Sequence, residues 1–329
     1  MSKILNYSKL DEKSERYLKD YFKDKVHWNY LKCNGVSLPE SYQFFGEQIL
    51  NMDVRDDDIW VCSFPKSGTT WTQEMVWRIA NDVNLELELE DIALRFPSLE
   101  VSLTYGFWEL KSKNPDIQLP DHISNSVDYV EKLPSPRFIK THLPFKLLPL
   151  KLQQNKTNAK IVYVVRNPRD TCVSFYHHYK LLVRYNKDFE KFCEMFLHGC
   201  LKYEPYWENV LGFWNQRHNP NILILKFEDM KKDLRSVLIK TANFFGKNLT
   251  EDQIQKLIVL LSLQNMRENR SINQEPFIEI YKKWFPVNSE GKFIRCGGID
   301  QWKADMSPEM IEKFKKWEKE NLVGTGLTL

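Results

Sequence analysis

The sequence predicts an α/β fold with a central, mostly parallel β-sheet that is flanked by helices. Three short apolar segments rich in β-forming residues, 59–64, 161–165 and 222–227, are each followed by a loop and a helical pattern. Strands that alternate with helices indicate a parallel sheet covered on both faces. Because ligands collect at the carboxyl ends of such strands, we expect the functional site there.

Residues that break regular structure define the first strand–loop–helix unit. The charged stretch 53–58 indicates a solvated turn before the first strand. Pro65 and Gly68 end that strand, and a helical pattern covers residues 69–80. The loop between them therefore lies at the carboxyl edge of the sheet.

The second and third units follow the same order. Residues 167–170 (Asn-Pro-Arg-Asp) predict a turn and a helix cap, and the helix continues to about Lys180. The third strand precedes a charged turn at 228–230 and a helix over 234–245. The loop after the second strand is thus expected beside the loop after the first.

Length and composition limit the function classes. The 329 residues contain no repeat or long linker, so we expect one domain over 1–329, with the first fifty residues undefined and a place in the acceptor pocket as one interpretation of them. A net charge of +3 is too small to suggest a nucleic-acid partner. Aromatic residues make up 13% of the chain, which fits either an apolar ligand pocket or an aromatic-rich core.

The N-terminal segment and the cysteines bear on location. Residues 1–21 alternate charged and apolar side chains and contain no apolar run of the kind that a secretory leader or a membrane span needs. The six cysteines are scattered, with no C-x-x-C pair and no zinc-ligand spacing. We therefore expect a cytoplasmic protein with reduced thiols, no bound metal and no membrane association.

Residues 64–71, Phe-Pro-Lys-Ser-Gly-Thr-Thr-Trp, join a predicted strand to a predicted helix. Backbone N–H groups at such a junction can surround a small anion, and Lys66 adds a full charge. A Walker loop would place glycines before its lysine, whereas here the lysine precedes the only glycine. The pattern alone leaves a solvated or structural lysine equally open.

The string 64–71 resembles the phosphosulfate-binding loop of the cytosolic sulfotransferase family throughout its length. The resemblance implies the P-loop-NTPase-like sulfotransferase fold, with 3′-phosphoadenosine 5′-phosphosulfate (PAPS) as donor and PAP as product. It also implies that Trp71 stacks on adenine. The residues implied to hold the 5′ side of the donor are Lys66, Ser67, Gly68, Thr69 and Thr70.

Residues 166–179 are similar to the second signature of that family. Arg166 offers a planar fork of donors suited to a phosphate, and Ser174 lies two helical turns further on. The resemblance implies that these two residues hold the 3′-phosphate. For Arg169 we prefer a structural role, paired with Asp170 or with solvent.

Three further positions match nucleotide contacts of the family. Tyr203 stands where a family tyrosine contacts the adenine region, and Ser262 and Met266 fit a later nucleotide-side stretch. Leu263 stands where the family usually has a phenylalanine. Adenine stacking is therefore expected to be weaker on that side.

Residues 295–303 align with the family loop R-K-G-x-x-G-D-W-K, of which the first three residues close over the 3′-phosphate. Arg295 and Gly297 are in register, but Cys296 replaces the lysine, and Asp300 and Gln301 replace Gly-Asp. A charge-assisted hydrogen bond is worth roughly 1.5 to 3 kcal/mol. Its loss predicts roughly ten- to a hundredfold weaker donor binding.

Residues 137–144 resemble the family's catalytic segment R-x-x-K-T-H-L-P. A lone histidine is more often structural, but the pKa of histidine suits a general base, and the resemblance implies that role for His142. Lys140 would project to the same side of an extended segment. With Lys66, it would stabilise the charge that develops as the sulfur–oxygen bond breaks.

The acceptor implied by the resemblance is a small, mostly apolar molecule with a hydroxyl or amine, such as a phenol, a sterol or another alcohol. His178 stands at a position that is often aromatic in relatives and would make the pocket more polar. Ordinary core packing remains an alternative for the other wall candidates. The predicted acceptor walls are Phe45, Phe96, Leu99, His178 and Phe285.

Two other functions are compatible with the fold. A nucleotide kinase is disfavoured because the lysine does not follow Walker glycines. A non-catalytic binding relative is suggested by the altered loop at Cys296, but the three catalytic candidates disfavour it. The family's dimer motif would extend over 303–312, where Ser307 and Pro308 replace Thr-Val, so a homodimer stays open with its motif altered.

Overall fold

A computed structural model describes residues 5–22, 29–84, 90–285 and 291–329. Two sequence predictions fall partly outside these ranges: residues 1–4 belong to the segment predicted to lack a secretory leader, and residues 23–28 belong to the N-terminal region discussed for the acceptor pocket. The strands are β1 Tyr7–Ser8, β2 Tyr30–Cys33, β3 Val36–Pro39, β4 Ile59–Cys62, β5 Phe138–Thr141, β6 Lys160–Val165 and β7 Ile222–Lys226.

The helices surround the strands. They are α1 Glu12–Tyr21, α2 Gly46–Asn51, α3 Thr69–Ala80, α4 Ile92–Arg95, α5 Val101–Thr104, α6 Phe107–Lys113, α7 Asp121–Ser124, α8 Ser126–Lys132, α9 Leu150–Gln153, α10 Pro168–Leu182, α11 Phe189–His198, α12 Tyr206–Trp214, α13 Phe227–Lys232, α14 Leu234–Phe244, α15 Glu251–Leu260, α16 Leu263–Glu268, α17 Glu275–Trp284, α18 Trp302–Asp305 and α19 Pro308–Leu322. Short 3₁₀ helices cover Glu40–Phe44 and Phe145–Leu147.

The central sheet has the strand order β5-β4-β6-β7, and every neighbouring pair is parallel. Alternate residues of each strand enter two separate cores: Trp60, Ile139 and Tyr163 on one face, Val61 and Val162 on the other. A parallel sheet buried on both faces explains why these strands are continuously apolar. The predicted fold class is confirmed.

Two local predictions were wrong. The charged segment 228–230 lies inside α13 and is not a turn, because acidic residues in the first turn of a helix favour it. Asp58 is not solvated: it is buried and forms an ion pair with Arg137, with Oδ2 2.5 Å from Nη2. The sequence pattern did not predict this ion pair, because Asp58 lies in a run of charged residues and Arg137 is 79 residues away.

The N-terminal strands form a second, antiparallel sheet, β1-β2-β3, which the sequence motifs did not predict. It contacts the loop before α12, because the main-chain oxygen of Ser37 accepts a hydrogen bond from the amide of Tyr203 (2.8 Å) and the Ser37 amide donates to the oxygen of Glu204 (2.8 Å).

Within the described ranges, no helix is long and apolar enough to cross a membrane.

Candidate active site

A cavity of about 180 Å³ lies at the carboxyl ends of the four parallel strands. It collects most of the predicted site residues from six separate parts of the chain. The predicted residues on its walls are Lys66, Gly68, Thr69, Thr70, Trp71, Lys140, His142, Arg166, Ser174, His178, Tyr203, Met266, Arg295, Cys296 and Gly297.

The loop between β4 and α3 forms one wall. Lys66 has a φ of 68° and Gly68, which precedes α3, a φ of 103°. A Cβ at Gly68 would lie 2.6 Å from a ring carbon of Phe227, so only glycine fits. Positive φ at a non-glycine such as Lys66 is costly and is typical of functional sites. Ser67 is buried beside the cavity, and its hydroxyl has no hydrogen-bond partner in the part of the chain described.

Arg166 connects this loop to the C-terminal loop. Its Nη1 donates to the oxygen of Lys66 (3.1 Å), and its Nη2 donates to the oxygen of Gly298 (2.8 Å). The guanidinium also lies over the ring of Phe227, 4.4 Å from its centroid. Arg166 is therefore held in place by both loops, while its Nε has no partner among the described residues.

Asp170 fixes the C-terminal loop on the start of α10. Its carboxylate accepts the backbone N–H groups of Asp300 (2.8 Å), Gln301 (2.8 Å) and Trp302 (3.3 Å). Arg169 contributes from the other side, because it lies 4.6 Å from the Trp302 ring centroid and bonds Glu318 (2.6 Å). The role of Arg169 is thus structural, with Glu318 as its partner.

An aromatic group marks one end of the cavity. The rings of Trp71 and Phe227 meet edge to face with centroids 5.6 Å apart, and the ammonium of Lys231 lies 5.7 Å from the Trp71 ring centroid. Met266 and Leu263 line the same cavity. Ser262 does not; its hydroxyl caps α16 by accepting the amide of Asn265 (3.3 Å).

His142 lies at the end of β5. Its Nδ1 is 2.9 Å from the main-chain oxygen of Ser63, which can only accept, so Nδ1 carries the proton and Nε2 keeps a free lone pair. Burial lowers the pKa of His142 well below its ordinary 6.5, and the charges of Lys140 and Lys66 lower it further. The imidazole is therefore neutral at pH 7, which is the form that accepts a proton.

Glu100, which the sequence motifs missed, holds the histidine segment. Its buried carboxylate accepts the amide of His142 (2.7 Å) and the hydroxyl of Thr141 (2.9 Å). Asn209 adds a bond to the oxygen of His142 (2.8 Å). These contacts fix the backbone that carries the imidazole. They join residues that are far apart in the sequence, so sequence motifs could not predict them.

The cavity concentrates positive charge. Burial, together with the nearby charges of Arg166, Lys140 and Arg295, lowers the pKa of Lys66 to about 7. Burial also lowers the pKa of Lys140, although Glu100 opposes that shift. Cations that destabilise one another in a buried space favour the binding of an anion.

The opposite end of the cavity is polar and aromatic. Tyr203 packs its ring on His142, with centroids 5.4 Å apart, and its hydroxyl contacts the Thr104 hydroxyl (2.8 Å). The structure thus places Tyr203 beside the imidazole, not in the Trp71 group that the adenine prediction implied. His178 contacts the Tyr105 hydroxyl through Nε2 (3.0 Å).

The chain matches the family model described as "Sulfotransferase domain" over residues 56–326. The chain belongs to the sulfotransferase family. The luciferin sulfotransferase of Photinus pyralis is 42% identical over 290 residues, which cover 88% of this chain and 78% of that protein. The amine sulfotransferase of Oryctolagus cuniculus is 32% identical over 281 residues, 84% of each chain. A crystal structure of retinol dehydratase with retinol and PAP has a TM-score of 0.89 at 32% identity, covering 100% of both chains.

This sulfotransferase satisfies its altered C-terminal loop internally. Gln301 Oε1 accepts hydrogen bonds from Arg295 Nη2 (2.8 Å) and from the Cys296 thiol (2.8 Å). Asp300 has a φ of 62°, which aspartate tolerates better than most residues, where the family has glycine. In the altered dimer motif, Ser307 caps α19 by accepting the amide of Met310 (3.2 Å).

Four predicted acceptor walls of the sulfotransferase lie outside the cavity lining. Phe96 packs on Phe138 in the sheet core, and Leu99 is fully buried. Phe45 meets Trp108, and Phe285 meets Phe107. Register with the family could not separate core from pocket at these positions, because both demand apolar residues. Ser98, Val101, Tyr105, Lys202 and Phe293 line the cavity instead.

Proposed function

We propose that this sulfotransferase transfers the sulfuryl group of PAPS to a hydroxyl, or an amine, of a small and mostly apolar acceptor, with His142 as general base. The observation that carries the proposal is the bond from His142 Nδ1 to the oxygen of Ser63, at 2.9 Å. It leaves Nε2 as the base, in a cavity that also contains Lys66 and Lys140.

The residues present fit a doubly phosphorylated nucleotide. Three buried polar atoms next to the cavity, Ser67 Oγ, Trp71 Nε1 and Arg166 Nε, have no partner within the described ranges. Buried polar groups normally have partners, so a bound ligand would supply what is missing. The residues that would hold the donor are Lys66, Ser67, Gly68, Thr69, Thr70, Trp71, Arg166, Ser174, Met266, Arg295, Cys296 and Gly297.

The donor and the protein contribute different parts of the proposed reaction. The bound donor supplies the sulfuryl group and leaves as PAP. His142 Nε2 takes the proton of the attacking hydroxyl, and Ser63 orients the ring for that transfer. Lys66 and Lys140 place positive charge where negative charge develops.

The acceptor class follows from the walls and from the relatives. Val101, Phe175 and Phe293 provide apolar surface on the cavity. The relatives are described as acting on luciferin and amines, and retinol dehydratase was crystallised with retinol or with androsterone. We therefore favour a phenol, sterol or other alcohol of that size for this chain.

We also place the enzyme in the cytoplasm. All six cysteines are free thiols, including Cys172 and Cys193, whose sulfur atoms are 3.8 Å apart and form no disulfide. Fractionation of cells that express the untagged chain tests this assignment, and a secreted or membrane-bound product would oppose it.

The decisive experiment is an acceptor screen on the purified full chain with ³⁵S-labelled PAPS. A panel of phenols, sterols, aliphatic alcohols and amines should yield at least one labelled product, and calorimetry should show PAP binding. If PAP binds but no acceptor is ever labelled, the transferase proposal fails and a binding role replaces it.

A further inference from the structure

Lys202 has no role in the proposed sulfuryl transfer, although this lysine lies on the cavity wall with only 3% of its surface exposed. Burial of a lysine away from a counter-ion is costly and uncommon. The residue therefore calls for a reason, and the family motifs give none.

The groups that contact Lys202 carry no negative charge to balance its ammonium. Its ammonium donates to the main-chain oxygen of Thr104 (2.8 Å) and lies 4.7 Å from the ring centroid of Tyr105 and 5.7 Å from that of Tyr179. Among the described residues, no carboxylate lies within ion-pair distance. Burial lowers the pKa of Lys202, and the more distant charge of Glu109 opposes this shift only in part, so that the pKa is about 7. An ammonium can donate three hydrogen bonds, so donor capacity remains.

His178 contacts Tyr105, the tyrosine whose ring also lies beside Lys202. Its Nε2 contacts the Tyr105 hydroxyl (3.0 Å), while its buried Nδ1 has no partner in the part of the chain described. Burial lowers the pKa of His178 well below 6.5, and Lys66 and Lys202 lower it further, so the ring is neutral at pH 7. When Tyr105 donates to Nε2, Nδ1 carries a proton that an acceptor oxygen can use.

The path from Lys202 to the base is short. Thr104 links Lys202 to Tyr203, because its main-chain oxygen accepts from Lys202 and its hydroxyl contacts that of Tyr203. The Tyr203 ring in turn packs on His142. One small molecule can therefore place a hydroxyl at His142 and a second polar group at Lys202.

We propose that the acceptor of this sulfotransferase carries a carboxylate besides the reacting hydroxyl, and that Lys202, with His178 beside it, binds that carboxylate. This inference rests on the proposed function and names its substrate class. A carboxylate supplies the missing counter-ion through charge-assisted hydrogen bonds, which are stronger than neutral ones. A hydroxy acid with an aromatic or otherwise apolar body matches the base, the buried ammonium and the apolar walls of the cavity.

The test uses two acceptors of nearly equal size, 3-(4-hydroxyphenyl)propionate and its primary amide, with the full chain at pH 7. We expect the wild type to use the acid with kcat/KM at least about tenfold above that for the amide. Lys202→Met should lower kcat/KM for the acid by roughly ten- to a hundredfold, the scale of one lost charge-assisted bond, and change the value for the amide less than about threefold. Lys202→Arg should keep the preference.

A matched control is Lys240→Met. Lys240 also donates to a main-chain oxygen, that of Ile224 (3.2 Å), but it is exposed and not on the cavity wall. This variant should leave both acceptors unaffected. Equal use of acid and amide by the wild type, or an equal loss for both in Lys202→Met, would overturn the carboxylate assignment and leave Lys202 a structural residue.

A binding measurement separates this inference from the proposed function. Calorimetry of 3-(4-hydroxyphenyl)propionate with the PAP complex should show binding that is tighter than that of the amide and that Lys202→Met weakens. If that holds while no acceptor is sulfonated, the anion site stands and the transferase proposal fails. If other phenols are sulfonated but the acid neither binds nor reacts, the carboxylate assignment fails alone.

Discussion

His142 donates its Nδ1 proton to the main-chain oxygen of Ser63 across 2.9 Å, which leaves Nε2 free to accept a proton, as proposed for the base. Replacing His142 with alanine removes the base, so kcat should fall by about 10² to 10⁴. The PAP dissociation constant should change little, because the donor loops do not depend on the ring. His177→Ala is the control, since His177 is not on the cavity wall. Near-normal turnover in His142→Ala would remove the base assignment.

The pH profile should reflect two lowered pKa values in the free enzyme. As the proposed base, His142 acts in its neutral form, so kcat/KM for the donor should fall only below pH 6.5 on the acid side. The proposed role of Lys66 in donor binding requires its charged form, and its pKa is about 7, so donor affinity should fall as the pH rises through that value. Lys66→Arg should abolish the alkaline loss, because arginine stays protonated.

Saturation of the enzyme with donor should shift both the acid and the alkaline limb of the pH profile to higher pH. An anion beside Lys66 and His142 raises both pKa values, so the profile of kcat should lie at higher pH than that of kcat/KM for the donor. Identical profiles for the two parameters would contradict the charge arrangement described for the cavity.

The carboxylate of Asp170 should matter for the donor more than for chemistry. Asp170→Ala frees three backbone N–H groups of the C-terminal loop, so the PAP dissociation constant should rise at least about tenfold, with a smaller effect on kcat at saturation. Asp58→Asn disturbs a buried ion pair that is not on the cavity wall. It should lower Tm without changing PAP affinity; equal affinity losses in both variants would indicate a general loss of stability.

The thiol at position 296 stands where the family has a lysine. Cys296→Lys should tighten PAP binding by about tenfold by adding a charge-assisted contact, measured by calorimetry at fixed ionic strength. Gln301 keeps its bond from Arg295 in that variant. Cys296→Ala adds no charge and should leave the affinity near that of the wild type. A lysine variant no tighter than the alanine variant would show that the loop does not reach the phosphate.

The sequence predicted the parts of the molecule that local pattern encodes. The strand at 59–64, the loop at 64–71 and the helix over 69–80 correspond to β4, the cavity wall and α3, because apolar runs and breakers act within a few residues. The same reasoning located the second and third parallel strands. The turn predicted at 228–230 was wrong, because acidic residues are favourable both in a turn and in the first turn of a helix.

The rest depends on contacts between residues far apart in the chain. Glu100 reaches His142 across 42 residues, and Asp170 reaches Gln301 across 131. Lys202 looks like any surface lysine in the sequence, and only the fold reveals that it is buried. Phe96 and Leu99 were assigned to the pocket because core and pocket walls share the same apolar composition, and the structure places both in the core.

The amine of Lys66 lies 3.9 Å from the ring centroid of Phe293 and bonds the main-chain oxygen of the same residue (3.4 Å). Phe293 also packs on His178, with centroids 5.7 Å apart. An anion that draws Lys66 towards itself would therefore loosen its contact with Phe293, which lines the cavity proposed for the acceptor. We then expect the two substrates to be energetically coupled, so that the factor by which the donor changes the affinity for the acceptor equals the factor by which the acceptor changes the affinity for the donor.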